Sequence, residues 1–173
     1  MSELAKAVLL DRDGVINRLL LERGPRETPL HPTEFELLPG VREALTNLRK
    51  TTARLIVITN QPNVAKGKTS LEHHYAIEQY MHGLIGPPLL DAVYTCLHRA
   101  EDGCSCHKPK PGLLLQAAVE HHLDLSQSVM VGDSSSDIEA GCAAGCHTVF
   151  ISPHGEAGSL LEAVPLVMAL LKE

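Results

Sequence analysis

Residues 7–14 read Ala-Val-Leu-Leu-Asp-Arg-Asp-Gly, four apolar residues followed directly by two acidic ones and a glycine. A short apolar run that ends in polar turn residues predicts a buried β-strand. Side chains two apart on a strand point the same way, so Asp11 and Asp13 should face one pocket while Arg12 points elsewhere. Gly14 would let the chain turn sharply after them.

Similar apolar runs alternate with helical patterns along all 173 residues. This alternation predicts an α/β fold, a Rossmann-like parallel sheet with helices on both faces, and the length fits a single domain spanning 1–173. The segment Thr69-Ser70-Leu71-Glu72 indicates a capping box at the start of the second helix. The predicted strands are Ala7–Leu10, Leu55–Thr59, Ala92–Leu97, Val129–Gly132 and Thr148–Ile151, and the predicted helices are Val41–Arg49, Leu71–Leu84, Gly112–His121, Ser136–Ala143 and Ser159–Leu171.

The composition excludes several classes of partner. A net charge of −6, the absence of Trp and an aromatic content of 3% argue against a nucleic-acid-binding protein. No apolar run is long enough to span a membrane, and the N-terminal residues do not resemble a cleavable signal, so we expect a cytoplasmic protein, with a monomer favoured. An acidic chain that binds an anionic substrate needs a metal ion and a few well-placed cations.

The polar motifs follow the predicted strands, where parallel α/β folds bind their ligands. Asp11 is suited to nucleophilic attack on phosphorus, because an aspartate is ionised at neutral pH without a separate base. Asp13 is placed to protonate the leaving group and then to deprotonate water, which requires a pKa above its usual value. The hydroxyl of Thr59 could donate to phosphoryl oxygens.

Two carboxylates and a phosphate repel one another unless a cation lies between them. Mg²⁺ prefers hard oxygen ligands, and the candidates are the carboxylates of Asp11 and Asp133 with the backbone carbonyl of Asp13. Asp137 would orient this metal site from behind. Each motif alone is typical of an ordinary turn. Their combination supplies a nucleophile, a hydroxyl and metal ligands together.

Residues 15–38 connect the first strand to the first helix, and their apolar residues show no clear helical or strand periodicity. A connection of this length in a compact domain is usually functional, so we expect a flap over the site. The alternative is a partly disordered surface loop.

Five cysteines in a cytoplasmic chain argue against a disulfide framework. Cys96, His98, Cys104 and Cys106 form a Cys₃His set in a loop at about 96–106. Such a set fills the tetrahedral shell of a structural Zn²⁺ and leaves no open position. Reduced, unligated thiols are the alternative.

The motifs Asp11-Arg12-Asp13-Gly14-Val15, Thr59-Asn60-Gln61, Lys108-Pro109 and 132–137 (Gly-Asp-Ser-Ser-Ser-Asp) resemble those of the haloacid dehalogenase-like phosphatases. This resemblance covers most of the chain, roughly from Ala7 to Gly145. It implies an aspartyl-phosphate mechanism with Mg²⁺, and it implies that Lys108 rather than Lys110 stabilises the phosphoryl group. The segment 15–38 is similar to the small flap of members without a large cap domain.

The zinc loop is similar to that of the branch that contains histidinol-phosphate phosphatase and heptose bisphosphate phosphatase. Those relatives usually have Arg before the lysine, where this chain has His107, which cannot form bidentate guanidinium contacts. The substrate would be a small phosphorylated metabolite, with a heptose bisphosphate favoured over histidinol phosphate. A catalytically inactive, zinc-stabilised binding protein is the alternative of another class. Candidate substrate-binding residues are Asn60, Gln61, His107, Arg26 and Lys66, although single basic side chains are more often solvated surface charges.

Overall fold

A computed structural model describes residues 4–86 and 88–172 of the chain. Five parallel strands form one sheet in the order β3-β2-β1-β4-β5, with β1 at its centre. The strands are β1 (Ala7–Leu10), β2 (Arg54–Asn60), β3 (Ala92–Cys96), β4 (Val129–Gly132) and β5 (His147–Phe150), and the helices are α1 (Val41–Leu48), α2 (Leu71–Ile85), α3 (Gly112–His121), α4 (Ser135–Ala144) and α5 (Leu160–Leu170).

The central strand is buried on both faces, as a parallel sheet between two helical layers requires. Val8 and Leu10 pack in a cluster with side chains of α1, α2 and α5, whereas Ala7 and Leu9 pack in a second cluster with side chains of α3 and α4. Alternate residues therefore contribute to two separate cores.

The fold confirms the predicted α/β class, and every predicted strand and helix occurs with ends within one residue of the expected ones. The predicted capping box is wrong in detail. Ser70 is the N-cap residue of α2 and accepts a hydrogen bond from the His73 amide. Thr69 instead donates its hydroxyl to the Leu30 carbonyl over 2.7 Å, which ties the segment 15–38 to the start of α2.

The segment 15–38 lies against the sheet edge that carries the polar motifs. Its buried apolar residues Val15, Ile16, Leu20 and Phe35 anchor it to the core. The amide of Leu38 returns to the carbonyl of Ile16 over 2.9 Å, so the segment closes on itself as a flap. Within 4–86 and 88–172, no helix combines the length and apolar character needed to cross a bilayer.

Candidate active site

Asp11 and Asp13 lie directly after β1 and are only 6% and 5% exposed. The amide of Asp11 continues the pairing with β4 by donating to the Val131 carbonyl over 3.0 Å. Gly14 has φ +89°, and a Cβ at this position would lie 1.9 Å from Asp133 Oδ2. The chain therefore needs glycine here because the turn after β1 passes against the carboxylate that follows β4.

Lys108 lies 3% exposed between two carboxylates. Its Nζ donates to Asp11 Oδ1 over 2.8 Å, to Asp137 Oδ1 over 2.6 Å and to the Ile58 carbonyl over 2.8 Å. Burial alone would lower the pKa of Lys108, but the charges of Asp11 and Asp137 outweigh it and raise the pKa. The lysine therefore stays charged at the floor of the site.

Asp11 differs from the sequence expectation of an ordinary, freely ionised aspartate. Burial raises its pKa, Asp137 and Asp13 add to the rise, and Lys108 opposes it. The charge of Lys108, and of any divalent cation bound alongside, favours the ionised form that a nucleophile needs.

Asp13 also differs from expectation, because its pKa was predicted to be raised. Burial alone would do so, but the charge of Arg12 and hydrogen bonds from Asn17, Gln61 and Arg12 lower the pKa below its usual value. Arg12 lies outside the lining of the active-site cavity, as predicted, but its Nη2 donates to Asp13 Oδ1 over 3.1 Å. Asn17, which sequence reasoning missed, donates to the same oxygen over 2.9 Å.

Asp137 belongs to the first turn of α4, where Ser134 and Asp137 form a reciprocal capping box. Its Oδ2 accepts hydrogen bonds from the amides of Asp133 and Ser134 and from the Ser134 hydroxyl. Carboxylate oxygens of Asp11, Asp133 and Asp137 lie within 4.8 Å of one another, a spacing compatible with one cation. Asp137 is the most heavily bonded of the three, since Lys108 occupies its other oxygen.

Asn60 fixes the backbone on both sides of Lys108. Its Nδ2 donates to the Lys108 carbonyl and its Oδ1 accepts from the Lys108 amide, both over 3.1 Å. This reciprocal pair holds the loop that carries the lysine against the end of β2. Asn60 therefore positions the lysine as well as lining the site.

A cavity of about 340 Å³ opens above these groups. Arg26 and Lys66, both predicted from the sequence, lie on its wall, and Arg26 forms a bidentate contact with Asp133. Thr59, Gln61 and His107 are not among the lining residues. The lining consists of Asp11, Asp13, Pro25, Arg26, Glu27, Thr28, Asn60, Pro62, Asn63, Lys66, Lys68, Lys108, Ser134, Ser136 and Asp137.

His107 lies beside the cysteine cluster instead of the cavity. Its Nδ1 is 3.1 Å from the His98 carbonyl oxygen and 3.7 Å from Cys96 Sγ. The predicted substrate contact therefore has no support from its position, because the ring is held by the loop on which the cysteines lie.

The four predicted zinc ligands converge. Sγ of Cys96 is 3.8 Å from Sγ of Cys104 and 3.1 Å from that of Cys106, and His98 Nδ1 lies 3.2 Å from Cys106 Sγ. A tetrahedral Zn²⁺ with Zn–S bonds of about 2.3 Å holds its sulfur ligands about 3.8 Å apart. The donor types and the Cys96–Cys104 separation therefore fit this ion, whereas the sulfur atoms of Cys96 and Cys106 lie closer together than a bound zinc would hold them.

Comparison with known proteins agrees with this geometry. Residues 105–162 match the family described as HAD-hydrolase-like. The D-glycero-beta-D-manno-heptose-1,7-bisphosphate 7-phosphatase of Helicobacter pylori strain ATCC 700392 / 26695 is 39% identical over 139 residues, which cover 79% of this chain and 77% of that protein. The chain belongs to the haloacid dehalogenase-like phosphatases.

Two further proteins support membership in this family. The enzyme of the same name from Vibrio cholerae is 37% identical over 174 residues, covering 92% of this chain and 90% of that protein. The crystal structure of D,D-heptose 1,7-bisphosphate phosphatase from B. bronchiseptica, complexed with magnesium and phosphate, superposes with a TM-score of 0.83 at 28% identity and covers 95% of this chain and 98% of that one. As a haloacid dehalogenase-like phosphatase, the protein is a phosphoric monoester hydrolase.

Proposed function

We propose that the protein removes the 7-phosphate of D-glycero-D-manno-heptose-1,7-bisphosphate. The observation that carries the proposal is a single cavity lined both by Asp11, Asp13 and Lys108 and by two further cations, Lys66 and Lys68. The first group suits the reacting phosphate, and the second suits the remaining anionic group of a bisphosphate. The curated relatives that carry this name support the choice of substrate.

The proposed reaction has two halves. A carboxylate oxygen of Asp11 attacks phosphorus, the bond from phosphorus to the sugar oxygen breaks, and Asp13 gives that oxygen a proton. The negative charge of the bound phosphate would raise the Asp13 pKa, against the lowering by Arg12, Asn17 and Gln61, and so favour the protonated form. Asp13 then takes a proton from water, which attacks the aspartyl phosphate and releases inorganic phosphate. Lys108 and the Thr59 hydroxyl would stabilise the phosphoryl oxygens in both halves.

The carboxylates of Asp11 and Asp133, with the backbone carbonyl of Asp13, are the groups we assign to Mg²⁺. Their hard oxygen atoms fit this ion, and the clustering of Asp11, Asp133 and Asp137 places negative charge where it would bind. When bound, it would neutralise charge on the phosphoryl group. Asp137 would orient the metal site without binding Mg²⁺ directly, because its oxygens are already occupied by Lys108 and by the start of α4.

We assign Zn²⁺ to Cys96, His98, Cys104 and Cys106. With four protein ligands this ion would be structural. Lys108 follows Cys106 by two residues, so the closed loop would limit the movement of the lysine.

Lys66 and Lys68 differ in how free they are to bind a second phosphate. Lys68 contacts Glu27 of the flap over 3.3 Å with an exposed side chain, an ion pair that an anion could readily displace. Lys66 is the stronger candidate, because no acidic partner lies within ion-pair distance of it among the described residues.

Steady-state kinetics on a panel of phosphate esters tests the proposal. The panel contains both anomers of the heptose bisphosphate, the heptose 7-phosphate without its second phosphate, and histidinol phosphate. We expect the highest kcat/KM for one bisphosphate anomer and a loss of at least tenfold without the second phosphate, the equivalent of about 1.4 kcal/mol. A preference for histidinol phosphate would overturn the substrate assignment and leave the chemistry of Asp11 standing.

Asp11→Asn separates an enzyme from a binding protein of the same fold. The variant keeps the shape of the side chain but removes the nucleophile, so Mg²⁺-dependent turnover of a chromogenic phosphate should fall to background. Equal turnover by the variant and the wild type would refute the aspartyl-phosphate mechanism. Absence of turnover in both would favour a binding protein.

A further inference from the structure

Gln61 lies outside the cavity but touches two of the groups assigned to the chemistry. It is 5% exposed, and its Nε2 donates to Asp13 Oδ2 over 2.6 Å and to Thr59 Oγ1 over 2.9 Å. The backbone amide of Gln61 donates to the Cys96 carbonyl over 2.7 Å, which fixes the Gln61 backbone to the end of β3. One buried side-chain amide thus joins the ends of β1 and β2.

The two oxygens of Asp13 have different surroundings. Oδ1 accepts from Arg12 and from Asn17, both of which are buried, so this oxygen is anchored. Oδ2 accepts only the Gln61 amide among the described residues. A carboxyl group with one oxygen fixed by two donors can rotate little, and its other oxygen, Oδ2, therefore has a defined direction.

The contact with Thr59 also sets the direction of a hydroxyl proton. A threonine hydroxyl has one proton to donate and two lone pairs to accept with. Because Gln61 donates to Thr59 Oγ1, the hydroxyl proton must point to another acceptor, which leaves it available for a phosphoryl oxygen.

We propose that Gln61 is a positioning residue that couples the phosphate-binding hydroxyl of Thr59 to the proton-donating oxygen, Oδ2, of Asp13. This inference rests on the proposed phosphatase chemistry and changes the role of Gln61 from a substrate contact to a support beneath the site. The shared amide holds Thr59 Oγ1 and Asp13 Oδ2 at a fixed separation, so the hydroxyl and the carboxyl group act on the phosphate and on the leaving oxygen from defined positions.

The more basic the leaving oxygen, the more the rate depends on the proton that Asp13 Oδ2 delivers. When the bond from phosphorus to this oxygen breaks, the electron pair goes to the oxygen and the proton of Asp13 neutralises it. A benzyl alkoxide needs this proton, a phenolate needs it less, and a nitrophenolate leaves without it near neutral pH. Loss of positioning should therefore lower kcat/KM most for benzyl phosphate.

The test compares Gln61→Leu with the wild type on 4-nitrophenyl, phenyl and benzyl phosphates, each at saturating Mg²⁺. We expect kcat/KM to fall a few-fold for the nitrophenyl ester and roughly 30-fold or more for the benzyl ester, within the range of general acid catalysis. Asp13→Asn should rank the three esters in the same order, with larger differences between their losses of kcat/KM. Thr59→Val should lower kcat/KM for all three esters by a common factor.

Equal losses on all three esters, or none, would overturn the proposal, since a merely structural role would not depend on the leaving group. Gln116→Leu is the matched control, because this amide lies exposed on α3 and donates to Glu120. If Gln61→Leu does not fold, Gln61→Asn keeps an amide that is too short to reach both partners and should show the same change in the ratio. These esters contain no heptose, so the outcome is independent of whether heptose bisphosphate is the substrate.

Discussion

Arg26 of the flap and Asp133 after β4 form a bidentate pair that joins the flap to the end of β4, with Nη1–Oδ2 at 3.1 Å and Nη2–Oδ1 at 2.9 Å. Arg26 has φ +63°, a left-handed conformation that costs energy for a residue with a side chain. The guanidinium holds both oxygens of the carboxylate that we assign to Mg²⁺. A cation at Asp133 and Arg26 therefore compete for the same group.

Removal of this competitor should strengthen activation by Mg²⁺. In Arg26→Ala we expect the half-saturating Mg²⁺ concentration to fall about threefold, because the exposed pair is worth at most about 1 kcal/mol. Titration of activity with Mg²⁺ at fixed substrate measures it. Arg23→Ala is the control, since Arg23 pairs with Glu34 inside the flap. An unchanged or higher Mg²⁺ requirement in Arg26→Ala alone would contradict the competition.

Lys108→Met should abolish turnover and also weaken the fold. The substitution leaves Asp11 and Asp137 without their shared cation, so we expect kcat to fall by about 10²- to 10³-fold or more. The free energy of unfolding should fall by roughly 3 kcal/mol, as happens when one partner of a buried ion pair is removed.

Lys110→Met is the matched variant for Lys108. Its Nζ is exposed and donates to the Cys104 carbonyl over 2.7 Å. We expect activity within about threefold of the wild type, since its surface position limits its electrostatic contribution. Kinetics and denaturant unfolding of the two variants, measured together, decide between the lysines. A more severe loss in Lys110→Met would show that the wrong lysine was chosen.

Cys96→Ser should remove the metal from the loop. We expect about one zinc per chain in the wild type by elemental analysis and markedly less in the variant, with Tm lower by roughly 10 °C because folding and zinc binding are coupled. Activity should fall while the half-saturating Mg²⁺ concentration stays the same. Cys142→Ser, at an exposed position on α4, should change neither quantity. Full retention of Tm and kcat in zinc-free protein would exclude a stabilising role for this ion.

Asp91 should make the stability of the protein dependent on pH. Its carboxylate contacts Arg49 at 2.6 and 3.2 Å, Arg54 at 3.2 Å and the Leu55 amide at 2.8 Å. Burial alone would raise its pKa, but the hydrogen bonds from Arg49 and Leu55 lower it below the usual value. Such a group stabilises the fold above its unfolded pKa, near 3.9, and this stabilisation is lost as pH falls through the lowered folded pKa.

In Asp91→Asn we therefore expect a loss of about 1 to 2 kcal/mol of unfolding free energy at pH 7. The difference from the wild type should shrink as the pH falls below about 4, because the unfolded chain then binds a proton that the folded carboxylate takes up only at lower pH. Denaturant unfolding from pH 3 to pH 8 measures it. The control is Glu139→Gln, at an exposed position on α4. Its unfolding free energy should change with pH in parallel with that of the wild type. A difference that is constant with pH would refute the contribution of the charge.

Local patterns allowed much of the active site to be predicted. Asp11, Asp13 and Asp133 each follow an apolar run, and parallel strands bring such ends to one edge of the sheet. Asn17 could not be predicted in this way. It is a polar residue in a segment whose apolar residues show no periodicity, and its only sequence signal is that it follows Asp13 by four residues.

The environment of the histidines of α2 could not be predicted either. His73 and His74 are neighbours on the same helical pattern, but His74 is only 4% exposed. Burial, with the charge of Arg12 adding to the effect, lowers its pKa. Which face of α2 meets the flap depends on a contact between segments far apart in the chain, and no local pattern records it.

The sequence by itself determined the order of strands and helices, the chemistry available at the strand ends and the donor set of the zinc loop, because these follow from local periodicity and from the types of side chain present. Only the tertiary structure decided how that chemistry is held. The pairing of Lys108 with Asp11 and Asp137, the grip of Arg26 on Asp133 and the pKa directions of Asp11 and Asp13 arise from burial and from neighbours distant in sequence, and burial is what makes each of these charges depend on the others.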